Sequence, residues 1–289
     1  MIDPVFLLEA AVNGLLLGGV LALLALGLNL IFGVLDIVWI AYVDLAMLCM
    51  YLIYFLVTLG GWPVWLAGLA GVALGLVLGV AVHLLVITPI LSSPPINQLL
   101  ATGGLLFFIQ SFATFLWTTD HRSIRLALPV VEVGGMFLSF ARLVAFGLAL
   151  LAMVGLYFFL TRTFIGTAIR AVSQDRGAMA LMGANPQRIY VVTSAVGGAM
   201  AGVAAALLSI QYSVHPHFGA AFGPITFMIC VLGGLGNMLG AFVAAFILSE
   251  IIAVGGVLWS TEMGYVIAFA LFIVLMFVRP GGLLARRER

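Results

Sequence analysis

The chain has no lysine, two cysteines and few charges of any kind: Asp, Glu, Lys and Arg make up 7% of its 289 residues. With 65% hydrophobic residues and a mean hydropathy of +1.31, it has too little polar surface to cover a water-soluble globule. Lipid accepts apolar side chains on the outside of a protein as readily as on the inside. A soluble fold is therefore excluded. The scarcity of cysteine rules out a disulfide framework, and Cys49 and Cys230 both fall in apolar runs as small core residues. The N-terminus carries Asp3 and Glu9 and no basic stretch, unlike a cleavable signal peptide. Gly233-Gly-Leu-Gly236 is followed by Asn237-Met-Leu-Gly240, without the Lys-Ser/Thr that a nucleotide-binding loop needs. Acids, histidines and cysteines never gather at catalytic or metal-ligand spacing, so no catalytic residue, metal or cofactor is assigned to the chain. The lone His83 reads as a packed, hydrogen-bonded group, and nucleic acid is not expected as a partner.

What is present is a series of apolar runs at about 11–33, 36–58, 64–88, 97–118, 141–161, 189–212, 224–254 and 262–279, punctuated by Gly, Pro or charge. They predict an all-α polytopic membrane protein of about eight transmembrane helices in one domain, residues 1–289. The run 224–254 is too long for one ordinary span. It carries Gly233, Gly234, Gly236 and Asn237 near its middle, which predicts a broken or re-entrant pair of helices, tolerated at depth only when buried in protein or lining a wet cavity. Glycines 14, 18 and 19, then 68, 71, 75 and 79, then 197, 198 and 202 recur at helical spacing, as ridges that let helices approach closely.

Residues 162–188 form a polar, cationic island with Arg162, Arg170, Asp175, Arg176 and Arg188. Four of the eleven arginines lie there, and four more (Arg279, Arg286, Arg287 and Arg289) lie at the C-terminus. The positive-inside bias places both on the cytoplasmic side. Counting spans outward then puts the 119–140 loop, with Asp120, His121, Arg122, Arg125 and Glu132, outside together with the N-terminus. His215 and His217 fall in another outer loop, either as contacts for a soluble protein or as solvated side chains.

An ordered series of motifs gives the chain a family resemblance. It runs from Asn13-Gly14 and Gly27-Leu-Asn-Leu-Ile-Phe-Gly33 through Pro89, Ala101-Thr-Gly103 and Gln110 to Arg170-Ala-Val-Ser-Gln-Asp175 and Leu181-Met-Gly183-Ala-Asn185. It continues in Tyr212-Ser-Val-His-Pro216, Val231-Leu-Gly-Gly-Leu-Gly236, Gly240-Ala241 and Arg279-Pro-Gly-Gly-Leu283. Over nearly its whole length the chain resembles the membrane permease subunits of branched-chain amino acid ABC importers, the Liv-type permeases. The resemblance implies a periplasmic binding protein that delivers the ligand and two permease subunits that form the path. The second permease is a related subunit, with a homodimer as the other arrangement. Two cytoplasmic ATPase subunits carry ATP-Mg, and the setting is the bacterial inner membrane with the C-terminus in the cytoplasm. Residues 166–185 resemble the family's coupling helix, so Gly166, Arg170, Ala171, Asp175, Arg176 and Gly183 are the candidate ATPase contacts. Read without the resemblance, the same segment is a solvated loop. An ion-coupled secondary transporter is the rival function, but a self-sufficient carrier has no need of the 162–188 island.

The chain departs from the family where relatives show Asn-Phe-Ala-His-Gly-Glu: here Trp39-Ile40-Ala41-Tyr42-Val43-Asp44 stands. Cys49 replaces a usual Gly, and Ile225 a usual Lys. The family default ligand is Leu, Ile or Val, with urea, short amides or aromatic acids as alternatives. Asp44, placed about two turns into a span, is costly to bury as an ion unless paired or wet. It lies beside the path and receives a ligand ammonium, or it is a structural acid held by Tyr42, Asn29 or a helix N-terminus. Thr102 and Gln110 are candidates for lining the path, with interhelical hydrogen bonding as the competing role. Asp36, at the junction of two runs, reads as an N-cap or interfacial residue.

Overall fold

The computed structural model describes residues 4–124, 129–133, 135–183, 185–279 and 281–283. Asp3, Arg125, Arg286, Arg287 and Arg289 lie outside the described residues, as do Ala184 and Pro280. Helix α1 (Pro4–Leu35) is the central pillar. At 1.5 Å per residue its 32 residues extend roughly 48 Å, longer than a bilayer's hydrocarbon layer. It packs against α6 (Phe140–Arg162), α9 (Pro186–Leu208), α10 (Phe218–Gly233) and α11 (Met238–Leu258). Helices α2 (Tyr42–Thr58) and α3 (Val64–Val82) pack on α9, and α12 (Thr261–Val278) packs on α11. Helix α5 (Pro95–Trp117) stands at the edge and touches little else.

Among the described residues, seven helices are long and apolar enough to cross a membrane: α1, α3 with its continuation to Ile90, α5, α6, α9, α11 and α12. Two shorter apolar helices, α2 and α10, complete the bundle. The 224–254 run divides as its glycines predict, α10 ending at Gly233 and α11 starting at Met238. Gly234 and Gly236 take φ of 98° and 81°, a left-handed conformation open to glycine. Three boundaries differ from the hydropathy reading by six residues or more, the first being α1, which begins at Pro4 rather than at 11. Helix α10 begins at Phe218, six residues before the apolar run, and α2 begins at Tyr42 rather than at 36. Asp36 sits at φ 60° and turns the chain out of α1, so 36–41 is non-helical although apolar enough to read as span. Asp36 is therefore not an N-cap: its N–H donates to the Phe32 carbonyl at 2.8 Å and closes the end of α1, and the residue before α2 is Ala41.

Helix α3 passes through a π turn at His83–Ile87 into α4 (Thr88–Ile90). Pro89 explains the widening: it has no N–H for the preceding turn, and its ring crowds that turn's carbonyl. The His83 carbonyl accepts both the Thr88 N–H and, at 2.9 Å, the Thr88 hydroxyl, which closes the π turn. The loop before α6 folds into an antiparallel hairpin, β1 (Val130–Val133) with β2 (Met136–Ser139), Val130 opposite Ser139. Close by in sequence, Arg122 bridges to Val214, tying this end to the connection between α9 and α10.

The glycine ridges are contact surfaces. Gly75 and Gly79 of α3 lie on Gly198, Gly202 and Ser194 of α9, backbone to backbone. A Cβ on Gly202 would stand 2.7 Å from the Gly71 carbonyl oxygen. Gly14 and Gly18 of α1 meet α11 through its side chains instead, chiefly Glu250 and Ala253 for Gly14 and Phe246 and Ser249 for Gly18.

Candidate functional site

Helix α2 starts inside the bundle. The Tyr42 hydroxyl donates to the Gly197 carbonyl at 2.8 Å and fills the notch left by Gly27 of α1. Gly27 precedes the end of α1 by eight residues, roughly 12 Å along the helix, so the Tyr42 hydroxyl lies well inside the bundle. Asp44 is thus in the first turn of α2, not two turns in, and is still deep, at 1% exposure. Its Oδ1 accepts from Gln110 Nε2 of α5 at 3.0 Å, while Oδ2 has no partner among the described residues. The carboxylate rests on Gly219, the second residue of α10, where any Cβ would overlap it. The amino ends of α2 and α10 therefore both meet at this acid, and their partial positive charges favour an anion there. Neither Tyr42 nor Asn29 holds Asp44; Gln110 does.

A cavity of about 450 Å³ opens on this junction. Trp39, Tyr42, Gln110, Gly219 and Pro224 line it, together with apolar side chains of α1, α5 and α10. Trp39 is fully buried, and its Nε1–H, like Asp44 Oδ2, lacks a partner among the described residues. Thr102 does not reach the cavity. Its hydroxyl donates to the Val38 carbonyl at 3.0 Å, which fixes the non-helical 36–41 segment to α5.

Asn29 belongs to a second cluster. Its Nδ2 donates to the carbonyls of Asn237 (2.9 Å) and Gly234 (3.4 Å), and its Oδ1 accepts from Gly236 N–H at 2.6 Å. The break at Gly233, Gly234, Gly236 and Asn237 is thereby clamped to α1, and Asn237 Oδ1 caps α11 by accepting from Gly240 N–H. At the same end a polar cavity of about 930 Å³ is bordered by this turn, Asp36, Ser173 and Arg176, so the break adjoins the cationic island.

That island is two short helices, α7 (Phe164–Gln174) and α8 (Arg176–Leu181). The Thr163 hydroxyl accepts from Gly166 N–H to start the first, and Asp175 Oδ1 accepts from Ala178 N–H at 2.9 Å to start the second. Gly166, Ile169 and Val172 are buried, and Gly166 has no room for a side chain against the Phe159 carbonyl and Leu160. Arg170, Arg176 and Gly183 are exposed, Ala171 is half-buried, and Gly183 turns the chain at φ 82°. Three apolar side chains stand out on the same segment: Phe164, Leu181 and Met182, 90%, 91% and 84% exposed.

Gly219, the Trp39 N–H and the Leu181–Met182 pair were not among the site candidates in sequence. For Gly219 the only signal was a glycine just before an apolar run. For the pair it was apolar side chains inside an otherwise polar island.

At the opposite end, the His121 and His215 rings lie 4.4 Å apart. Burial, with His121 and His217 close by, pushes the His215 pKa down.

Residues 10–276 match the family model for the permease component of branched-chain amino acid transport systems. The chain belongs to the branched-chain amino acid transport permease family. Relatives include the high-affinity branched-chain amino acid transport system permease protein BraD of Pseudomonas aeruginosa, 29% identical over 97% of this chain and 96% of BraD. The corresponding protein LivH of Escherichia coli K12 is 28% identical over 98% of this chain and 97% of LivH. A probable LivH of Methanocaldococcus jannaschii matches a third of the chain, at 29% identity over 99 residues. No solved structure matches. As a permease of this family the chain is a membrane transport component, not an enzyme.

Proposed function

We propose that the chain is one of two permease subunits of an ABC importer in a bacterial inner membrane, carrying a small amino acid, with Leu, Ile or Val as first candidates. A periplasmic binding protein supplies the ligand, and two cytoplasmic ATPase subunits holding ATP-Mg drive the cycle. A related permease is the second half of the path. Urea, short amides and aromatic acids are the alternative cargoes. The path runs past Asp44, Tyr42 and Gln110, with Thr102 holding its wall and Asn29 holding the broken-helix turn.

The observation that carries this reading is the α7–α8 segment. One face is anchored by Gly166, Ile169 and Val172 while Phe164, Leu181 and Met182 project beside Arg170 and Arg176. An exposed apolar patch ringed by charge marks a protein contact. The segment packs on α6, α9 and α1, and α1 grips the Gly234–Asn237 turn through Asn29, so force applied to the segment passes by way of α1 to the start of α11. An ion-coupled carrier has no use for such a surface.

The test is a double substitution, Leu181→Asp with Met182→Asp. Both side chains are exposed in the isolated chain, so its melting temperature in detergent stays within about 1–2 °C of wild type. Co-purification of the ATPase subunits falls at least about tenfold, the expected cost of placing charge in an apolar contact. Undiminished ATPase recovery with normal ATP-driven uptake would remove the segment's proposed role.

A further inference from the structure

Two polar atoms at this junction are buried and unpartnered among the described residues, and they differ in sense: Trp39 Nε1–H, on a residue that lines the 450 Å³ cavity, donates, and Asp44 Oδ2, on a residue set directly behind the lining residues Gln110 and Gly219, accepts. A buried polar group without a partner is rare in a native structure and calls for an explanation. Gln110 and Gly219, the two residues that touch the Asp44 carboxylate, both line the cavity, and so does Trp39. The rest of the wall is apolar, including Leu28, Val43, Leu106, Phe107 and Phe227. No Lys, Arg or His is among the described residues that line it.

We infer that this wall is a selective head-group station: it holds ligands whose head donates N–H hydrogen bonds, an ammonium or a neutral amide, and turns away free organic anions. The inference rests on the reading that this cavity belongs to the transport path, and it decides among the cargoes considered there. Asp44 Oδ2 takes the donor, in the same manner as Oδ1 already takes the Gln110 amide. The Trp39 N–H serves one oxygen of the ligand's carboxylate or carbonyl. The apolar wall takes the rest of the molecule. Gly219 is the clearance that lets the carboxylate stand there, since any side chain would push it aside. An anion lacking an amine meets the Asp44 charge at short range with no cation to offset it, in surroundings where such repulsion is poorly screened. Amino acids and short amides pass this wall, and aromatic acids without an amine do not.

The test uses native membrane vesicles containing the complete assembly, treated with a hydrophobic carbodiimide, which forms a stable acylurea on a reachable carboxyl group. Adducts are located by peptide mass on Asp44 and on Glu250, a half-buried acid of α11 that serves as the internal control. The probes are N,N-dimethylisopentylamine and isopentanoate, one carbon skeleton with opposite head groups; the tertiary amine keeps one N–H when protonated and forms no amide with the activated carboxyl. Relative to Glu250 in the same sample, Asp44 labelling is expected to slow at least fivefold with the amine and to be unchanged with isopentanoate. Equal protection by both probes, protection by neither, or no adduct on Asp44 would overturn the inference. ATP-driven uptake and subunit co-purification from the same vesicles report separately on the importer reading.

Discussion

Asn29 and Asp44 are single polar side chains set in apolar helices, and their partners give them opposite employment. Asn29 uses both ends of its amide on one turn, in three hydrogen bonds to backbone groups more than 200 residues away in sequence. Each such bond contributes about 1 kcal/mol net, and more is lost when buried partners are left unsatisfied. Asn29→Leu is therefore expected to destabilise the protein by roughly 2–3 kcal/mol and lower its melting temperature in detergent by several degrees. It should leave carbodiimide labelling of Asp44 unchanged, because the hydrogen bonds of Asn29 go to Gly234, Gly236 and Asn237 and that of Asp44 goes to Gln110. Wild-type melting of the Asn29→Leu protein would mean the turn holds its shape unaided. Asp44, by contrast, keeps one oxygen unsatisfied, which makes it the better candidate for a ligand. Sequence identified both residues as polar groups in spans, because hydropathy registers each such interruption. It could not say which partner each would find, since those partners are set by how α1, α2, α5 and α10 come together.

At the level of helices, glycine separates contact from display. Gly79 and Gly198 sit where α3 and α9 touch through their backbones, whereas a Cβ on Gly147 or Gly155 of α6 would meet nothing within 4 Å. Gly147→Ala should be neutral or stabilising by up to about 1 kcal/mol, through the higher helix propensity of alanine. Gly79→Val must force α3 away from α9 and should cost about 3 kcal/mol or more, seen as loss of the monodisperse peak in detergent chromatography. Matched behaviour of the two variants would mean that the α3–α9 contact is looser than its geometry implies. The ridge at 68–79 was legible in sequence because its spacing is helical. The π turn before Pro89 and the non-helical 36–41 segment were not, as neither changes the hydropathy of the run that contains it. The break at 233–237 was legible because glycine and asparagine interrupt an apolar run too long for one span.

Over the whole molecule the described arginines divide unequally. Arg162, Arg170, Arg176, Arg188 and Arg279 lie at the end that also holds the Gly234–Asn237 turn, while Arg122 and Arg142 lie at the hairpin end. By the positive-inside bias, five against two predicts that the richer end faces the cytoplasm. The same end carries the exposed Leu181 and Met182, so charge and docking surface agree on where a soluble ATPase would be met. Sequence could supply this orientation only through a span count that required 224–254 to enter and return. The separate helices α10 and α11 supply that return. The native thiols, Cys49 and Cys230, are both buried, which leaves a quiet background for labelling from either side. Ser173 and Ser123 are exposed at opposite ends. In Ser173→Cys, a membrane-impermeant maleimide should label inverted vesicles at least about tenfold more than intact spheroplasts, and in Ser123→Cys the preference should reverse, each aqueous surface being reachable only from its own side. The opposite pattern would put the α7–α8 segment on the face of the binding protein, where no ATPase could reach Leu181, and coupling would have to enter the bundle from elsewhere.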